Sequence, residues 1–281
     1  MKPAFRNSVK NIKNLQFCLL ASLVSIIAIH LNLTWKFSEY SNSIITAFTG
    51  IIIVTFLWEK RSTLSLKSGI GSKITGILFI AYVLLISLFA SNWSLTLQLS
   101  PFISAMGLAL FASGVKGLKQ YWQELILIFA IVISPELILP IIDLSSLTVN
   151  FVTFILFSLG FEVSCQGVIL IFPTTTVTVT PDCSGLRTIT HLVRFAILIL
   201  VMFPTNLVKS FLIFITAILV GFIFNGGRVT FLSILWVHSN YKAFEYWHEG
   251  TGSHILKGIT LFIWGVFCYF IIQTKFRKNA F

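Results

Sequence analysis

Eight apolar runs, each long enough to cross a bilayer, dominate this chain: roughly 15–33, 42–58, 74–91, 97–115, 123–142, 186–203, 210–232 and 252–273. A spanning helix needs about 20 predominantly apolar residues, and so many such runs require lipid as their solvent. Composition agrees: of 281 residues, 56% are hydrophobic and only 10% charged, against about 25% charged in a soluble domain. A deficit of that size cannot be hidden in one core. No stretch is long and polar enough for a separate soluble domain. The expectation is therefore an all-α polytopic membrane protein with about eight transmembrane helices. It forms one integral domain over 1–281, with a four-helix N-terminal part, 1–120, and a second part, 121–281.

The net charge of +11 is arranged as a topology signal, not as a nucleic-acid surface: the basic residues sit in short clusters between apolar runs. Lys2, Arg6, Lys10 and Lys13 place the N-terminus in the cytoplasm, and the run after them reads as a retained first span, since no A-x-A cleavage site follows. Lys60, Arg61, Lys67 and Lys73 assign the same side to the loop after the second span, Lys116 and Lys119 to that after the fourth, and Lys209 to that after the sixth. Lys275, Arg277 and Lys278 do so for the C-terminus. The opposite loops carry only Lys36 and Lys242 against Glu39, Asp143, Glu162, Asp182, Glu245 and Glu249. Eight crossings satisfy every cluster. The further apolar stretch 144–160, with its serines, threonines and Asn150, is then expected as a helix at the outer interface; the alternative is a true crossing.

Residues 162–181 form the sizeable outer loop. Val168–Phe172 is rich in β-branched and aromatic residues, and Thr176–Thr180 alternates Thr and Val with period two. This predicts a β-hairpin with its threonines on the wet face, lying outside lipid because open strand edges are not tolerated there.

Ionisable groups at the ends of spans are functional candidates. Four basic residues fall outside the flanking clusters: Arg187, Arg194, Arg228 and Lys257. In Pro181-Asp182-Cys183-Ser184-Gly185-Leu186-Arg187, Asp182 or Ser184 can cap the following helix. Cys183 then sits at a helix N-terminus, which favours a thiolate. Arg187, one turn on, adds positive charge on the same face, and Gly185 leaves room for a substrate backbone. The alternative is a packed cysteine at a loop–helix junction. Cys18 and Cys268 lie in apolar runs as small hydrophobes, and the four cysteines lack metal-site spacing.

In Asn225-Gly226-Gly227-Arg228 the Asn and Arg share a helix face and the glycines allow close approach of a neighbour; the alternative for Arg228 is snorkelling to headgroups. In Trp247-His248-Glu249-Gly250-Thr251-Gly252, His248 is suited to exchange protons near neutral pH. Glu249 is a candidate to orient it, although helical neighbours point apart. The string is not a zinc-protease helix, since Gly252 stands where the second His is needed. Neither a metal nor a cofactor site is expected. All three segments fall at the same depth on the same, extracytoplasmic side.

Cys-Ser-Gly-Leu-Arg at 183–187, Asn-x-x-Arg at 225–228 and His-Glu-x-x-Gly at 248–252, in that order and preceded by the hairpin, resemble the exosortase/archaeosortase family over about 145–270. The Trp-His-Glu-Gly-Thr-Gly string resembles its cyanobacterial branch. Gly226-Gly227 departs from the pattern, because many members carry larger apolar residues there. The resemblance implies a cysteine endopeptidase or transpeptidase of the plasma membrane. Its substrates would be exported proteins ending in a short PEP-type motif, one transmembrane helix and a basic tail. Cys183, Arg228 and His248 would be catalytic, supported by Ser184, Gly185, Arg187, Asn225 and Glu249. A transporter, or a thiol-dependent membrane acyltransferase, is the competing expectation. A transporter would show inverted repeats or broken helices near the midplane, and neither is visible.

Overall fold

A computed structural model describes residue 18, residues 21–22, 24–32 and 36, and then residues 40–89 and 95–273. The basic clusters Lys2–Lys13 and Lys275–Lys278 lie outside these, as do residues 15–17, 19–20, 23 and 33 of the expected first span; residues 18, 21–22 and 24–32 of that span are helical. Among the described residues five stretches are long and apolar enough to cross a membrane: Ser43–Lys60, Ile70–Leu88, Leu95–Val132, Leu207–Val237 and Thr251–Gln273. The chain is a multi-pass, all-α membrane protein with a small antiparallel sheet. It divides into two compact units, Met1–Ser134 and Pro135–Phe281.

In the first unit, helices α1 (Tyr40–Lys60), α2 (Ile70–Leu88), α3 (Leu95–Gly117) and α4 (Trp122–Val132) follow in order. α2 and α3 meet at paired glycines: a Cβ on Gly76 would lie 2.5 Å from the Gly107 carbonyl oxygen, so only hydrogen fits and the backbones touch. Leu95–Val132 is not one straight rod, because Gly114 at φ +66 breaks α3 and a 3-10 turn, Leu118–Tyr121, separates α3 from α4. The Lys60 ammonium lies 2.9 Å from buried Glu124 and ties the end of α1 to the start of α4. The expected fifth run, 123–142, is interrupted. α4 has 11 residues, about 16 Å at 1.5 Å per residue, and the chain leaves the helix at Ile133 and Ser134. Pro135 is the physical cause, since the residue before proline is driven out of the helical region.

The second unit opens with the short helix α5 (Pro135–Ile138). Asp143 Oδ1 accepts from the Ser145 backbone N–H at 2.8 Å and from its hydroxyl at 2.6 Å, which starts α6 (Ser145–Ser158). At 14 residues, about 21 Å long, α6 is shorter than the roughly 30 Å hydrocarbon core. The loop after it holds three strands, not two: β1 (Ser164–Gln166), β2 (Ile169–Ile171) and β3 (Thr176–Thr178), antiparallel in that order. β1 and β2 are joined at Gly167-Val168, with Gly167 at φ +61, the conformation that a tight two-residue hairpin asks of glycine. The alternation works as expected. Thr176 and Thr178 are exposed while Val179 is buried, with Val149, Val152, Leu156, Leu170, Phe172 and Val229, in a core shared by α6, the sheet and α8.

A 3-10 turn, Pro181–Cys183, then leads into α7 (Leu186–Met202) and α8 (Leu207–Val237), followed by α9 (Tyr241–His248) and α10 (Thr251–Gln273). A second core, Leu192, Ala196, Ile213, Ala217, Trp264 and Cys268, binds α7, α8 and α10. α7 has 17 residues and carries buried Arg194 and His191.

Candidate active site

Cys183 ends the 3-10 turn that follows β3, and its N–H donates to the Thr180 carbonyl at 2.9 Å. It is not a first-turn residue of α7, whose N-cap is Gly185, with no side chain capping. Ser184 is fully buried; its hydroxyl donates to the Pro181 carbonyl at 2.6 Å, and its own carbonyl accepts from the Thr148 hydroxyl at 2.7 Å. Ser184 therefore braces the turn.

Gly185 has a reason other than substrate access. Its φ is +92, and a Cβ there would lie 3.0 Å from Asn225 Nδ2. The vacated space lets Asn225 donate from Nδ2 to the Cys183 carbonyl at 2.8 Å. One turn further along α8, Arg228 donates from Nη2 to the His248 carbonyl at 2.9 Å. Arg228 Nε is buried and finds no hydrogen-bond partner among the described residues. Of the intervening glycines, Gly226 faces the ring of Phe151 on α6 and Gly227 faces open space.

His248 is the last residue of α9, whose start is capped by Asn240 accepting from the Ala243 N–H at 3.3 Å. Phe244, one turn back, stacks on the imidazole with ring centroids 5.0 Å apart and planes at 18°. The ring's Nε2 lies 3.6 Å from Cys183 Sγ, and its Nδ1 lies 3.5 Å from Glu249 Oε1. Glu249 has already left the helix, at φ −122 and ψ −17, so the rule that helical neighbours point apart does not govern it.

Burial pushes the half-buried Cys183 thiol up, but hydrogen bonds to His248 and Thr180 and the charges of Arg228 and His248 outweigh it, so the net displacement is below an ordinary thiol. Arg187 is engaged elsewhere: Nη2 and Nε donate to Asp182 Oδ1 at 2.8 and 3.1 Å, and Nη1 to Glu136 Oε1 at 3.1 Å. It braces the turn against α5, in place of the expected charge on the cysteine's face.

Cys183, Asn225, Arg228, His248 and Glu249 are thus brought together, with Ser184, Gly185 and Arg187 shaping the loop beneath them. Sequence reasoning missed Glu136, Thr148, Thr180 and Phe244. Thr180 ends the alternating row just before the cysteine, and Phe244 stands four before His248; both spacings were visible. Glu136 and Thr148 left no such signal.

The model of the transmembrane exosortase family matches residues 35–265, reaching well before the first of the three motifs. No curated protein and no solved structure matches the chain at a significant level.

Proposed function

This chain belongs to the transmembrane exosortase family, and from that premise we propose that it is a cysteine endopeptidase or transpeptidase acting on C-terminal sorting signals of exported proteins. The observation that carries the reading is the 3.6 Å approach of Cys183 Sγ to His248 Nε2, two groups 65 residues apart in sequence.

With the Nδ1 proton facing Glu249, Nε2 is the acceptor for the thiol proton. The Cys183 thiolate attacks the scissile carbonyl carbon and a carbon–sulfur bond forms. The oxyanion takes its stabilisation from the positive charge of the Arg228 guanidinium. The tetrahedral intermediate collapses as His248 gives its proton to the leaving amine, breaking the carbon–nitrogen bond and leaving a thioester. Water or an acceptor amine, deprotonated by His248, then attacks the thioester, and the proton returns to sulfur. Asn225 and Arg228 act as positioning residues through the two main-chain carbonyls they hold, and Arg228 acts directly on the oxyanion as well. The site opens extracytoplasmically in the plasma membrane. The substrate's own transmembrane helix docks laterally from lipid and leaves its basic tail in the cytoplasm.

The test is an exported, epitope-tagged reporter ending in a PEP-type motif, a transmembrane helix and a basic tail. It is processed by the wild type and stays full length with Cys183→Ala. Processing by the Cys183→Ala variant sinks the scheme, while transfer of a lipid acyl donor to Cys183 in place of peptide cleavage favours a membrane acyltransferase.

A further inference from the structure

β3 is an edge strand, and it runs straight into the nucleophile. Among the described residues its one strand neighbour is β2. The ladder places the backbone groups: the Phe172 N–H donates to the Thr175 carbonyl and the Val179 N–H to the Val168 carbonyl, both at 2.9 Å. In an antiparallel pair bonded and non-bonded positions alternate. Residues 175, 177 and 179 therefore turn their N–H and C=O groups toward β2, and Thr176 and Thr178 turn theirs away. Among the described residues, nothing is hydrogen-bonded to the backbone of Thr176 or Thr178 on that outer side. Both residues are exposed. Such a row cannot be left against lipid, where an unsatisfied backbone group is too costly, so it faces water or a protein partner.

We infer that this outer edge of β3 is the substrate-docking site, and that an extended peptide segment of the protein substrate adds to the sheet as a fourth strand. The proposal rests on Cys183 being the reactive thiol. Three observations favour a peptide as occupant. The unpaired donors and acceptors recur every second residue, the repeat of an extended backbone. The edge is continuous with the site: Thr180, at its end, accepts the Cys183 N–H with its carbonyl at 2.9 Å. The threonine hydroxyls on the exposed face present no apolar surface that would draw in an acyl chain. Backbone pairing fixes the register of a peptide whatever its side chains, and thereby sets which carbonyl reaches Sγ.

The experiment uses the full-length protein in detergent and follows alkylation of Cys183 by mass spectrometry. One reagent is chloroacetone. The other is acetyl-Val-Thr-Val-Ala chloromethyl ketone, which carries the same reactive group on a peptide, tested unmodified and N-methylated at each residue in turn. In both, the thiolate displaces chloride, forming a carbon–sulfur bond. The peptide reagent is expected to react faster than chloroacetone by on the order of tenfold or more, the equivalent of one or two net hydrogen bonds. N-methylation abolishes that advantage at alternate residues only, those whose N–H faces β3. Thr178→Pro, which removes an outward N–H without touching the ladder to β2, brings the ratio of the two rates toward one. No advantage for the peptide, equal losses at every methylated position, or an unchanged ratio in Thr178→Pro overturns the docking site. Chloroacetone labelling no faster than that of an ordinary thiol overturns instead the assignment of Cys183 as nucleophile.

Discussion

At Cys183 opposed effects meet on one sulfur. Burial raises the thiol, and the imidazole, the Thr180 hydroxyl and the guanidinium lower it. The balance has a measurable sign. An ordinary cysteine loses its proton near pH 8.5, about the value for model peptides, and only the thiolate is alkylated. The rate of Cys183 alkylation by iodoacetamide is therefore expected to rise with pH at a lower midpoint than that of a free cysteine. His248→Ala removes the principal opposing contribution and leaves desolvation opposed only by Thr180 and Arg228, so the midpoint moves upward. A midpoint that does not move removes His248 from control of the thiol. Arg187 shows where residue-level reading stops. Its spacing from Cys183 gave a shared face but not a partner, and the partner it finds on α5, Glu136, stands 51 residues earlier. For Glu249 the obstacle was the rule that helical neighbours point apart, and it does not apply: the helix ends one residue before it, a boundary too fine to read from the string Trp247-His248-Glu249-Gly250.

Elements were legible in proportion to their length. Long apolar runs announce helices, and the Thr–Val alternation announced β3. β1 has three residues and no alternation of its own, since all three are exposed, so the loop read as a hairpin and not as a three-stranded sheet. Within 123–142, Pro135 and Pro140 were in plain view, and hydrophobicity over the whole window masked the break they impose. The most demanding junction is the 3-10 turn with Gly185 behind it. Gly185→Ala asks an L-residue to hold φ +92 and pushes a methyl against Asn225. The left-handed conformation alone costs about 1–2 kcal/mol. The expected outcome is a lower thermal unfolding midpoint, together with a slower alkylation of Cys183 as Asn225 loses its grip on the Cys183 carbonyl. Full wild-type reactivity and stability in this variant would contradict the role given to that glycine.

For the molecule as a whole, one physical fact places the chemistry: a polar site at the ends of apolar helices is reachable from one compartment only. The topology proposed from the basic clusters between the spans puts that compartment outside. In intact spheroplasts, Cys183 is therefore expected to react with a membrane-impermeant methanethiosulfonate, with Cys183→Ser as the control that identifies the adduct. Labelling seen only after the membrane is opened reverses the orientation. The convergence of three motifs was legible because each lies at a span's end. The hydrogen bonds that hold them were not, because they run between side chains and main-chain carbonyls, and a carbonyl leaves no mark in a sequence.

Those carbonyls bear on how the site tolerates a changing bilayer. Asn225 and Arg228, one turn apart on α8, hold the main chains of Cys183 and His248 respectively. Transmembrane helices tilt when hydrocarbon thickness changes. If α8 tilts, sulfur and imidazole are carried along as a pair, because both are referenced to the same turn. Their separation is thereby insulated from the mechanics of the lipid around them, and what varies is only the height at which the pair would meet the proposed substrate.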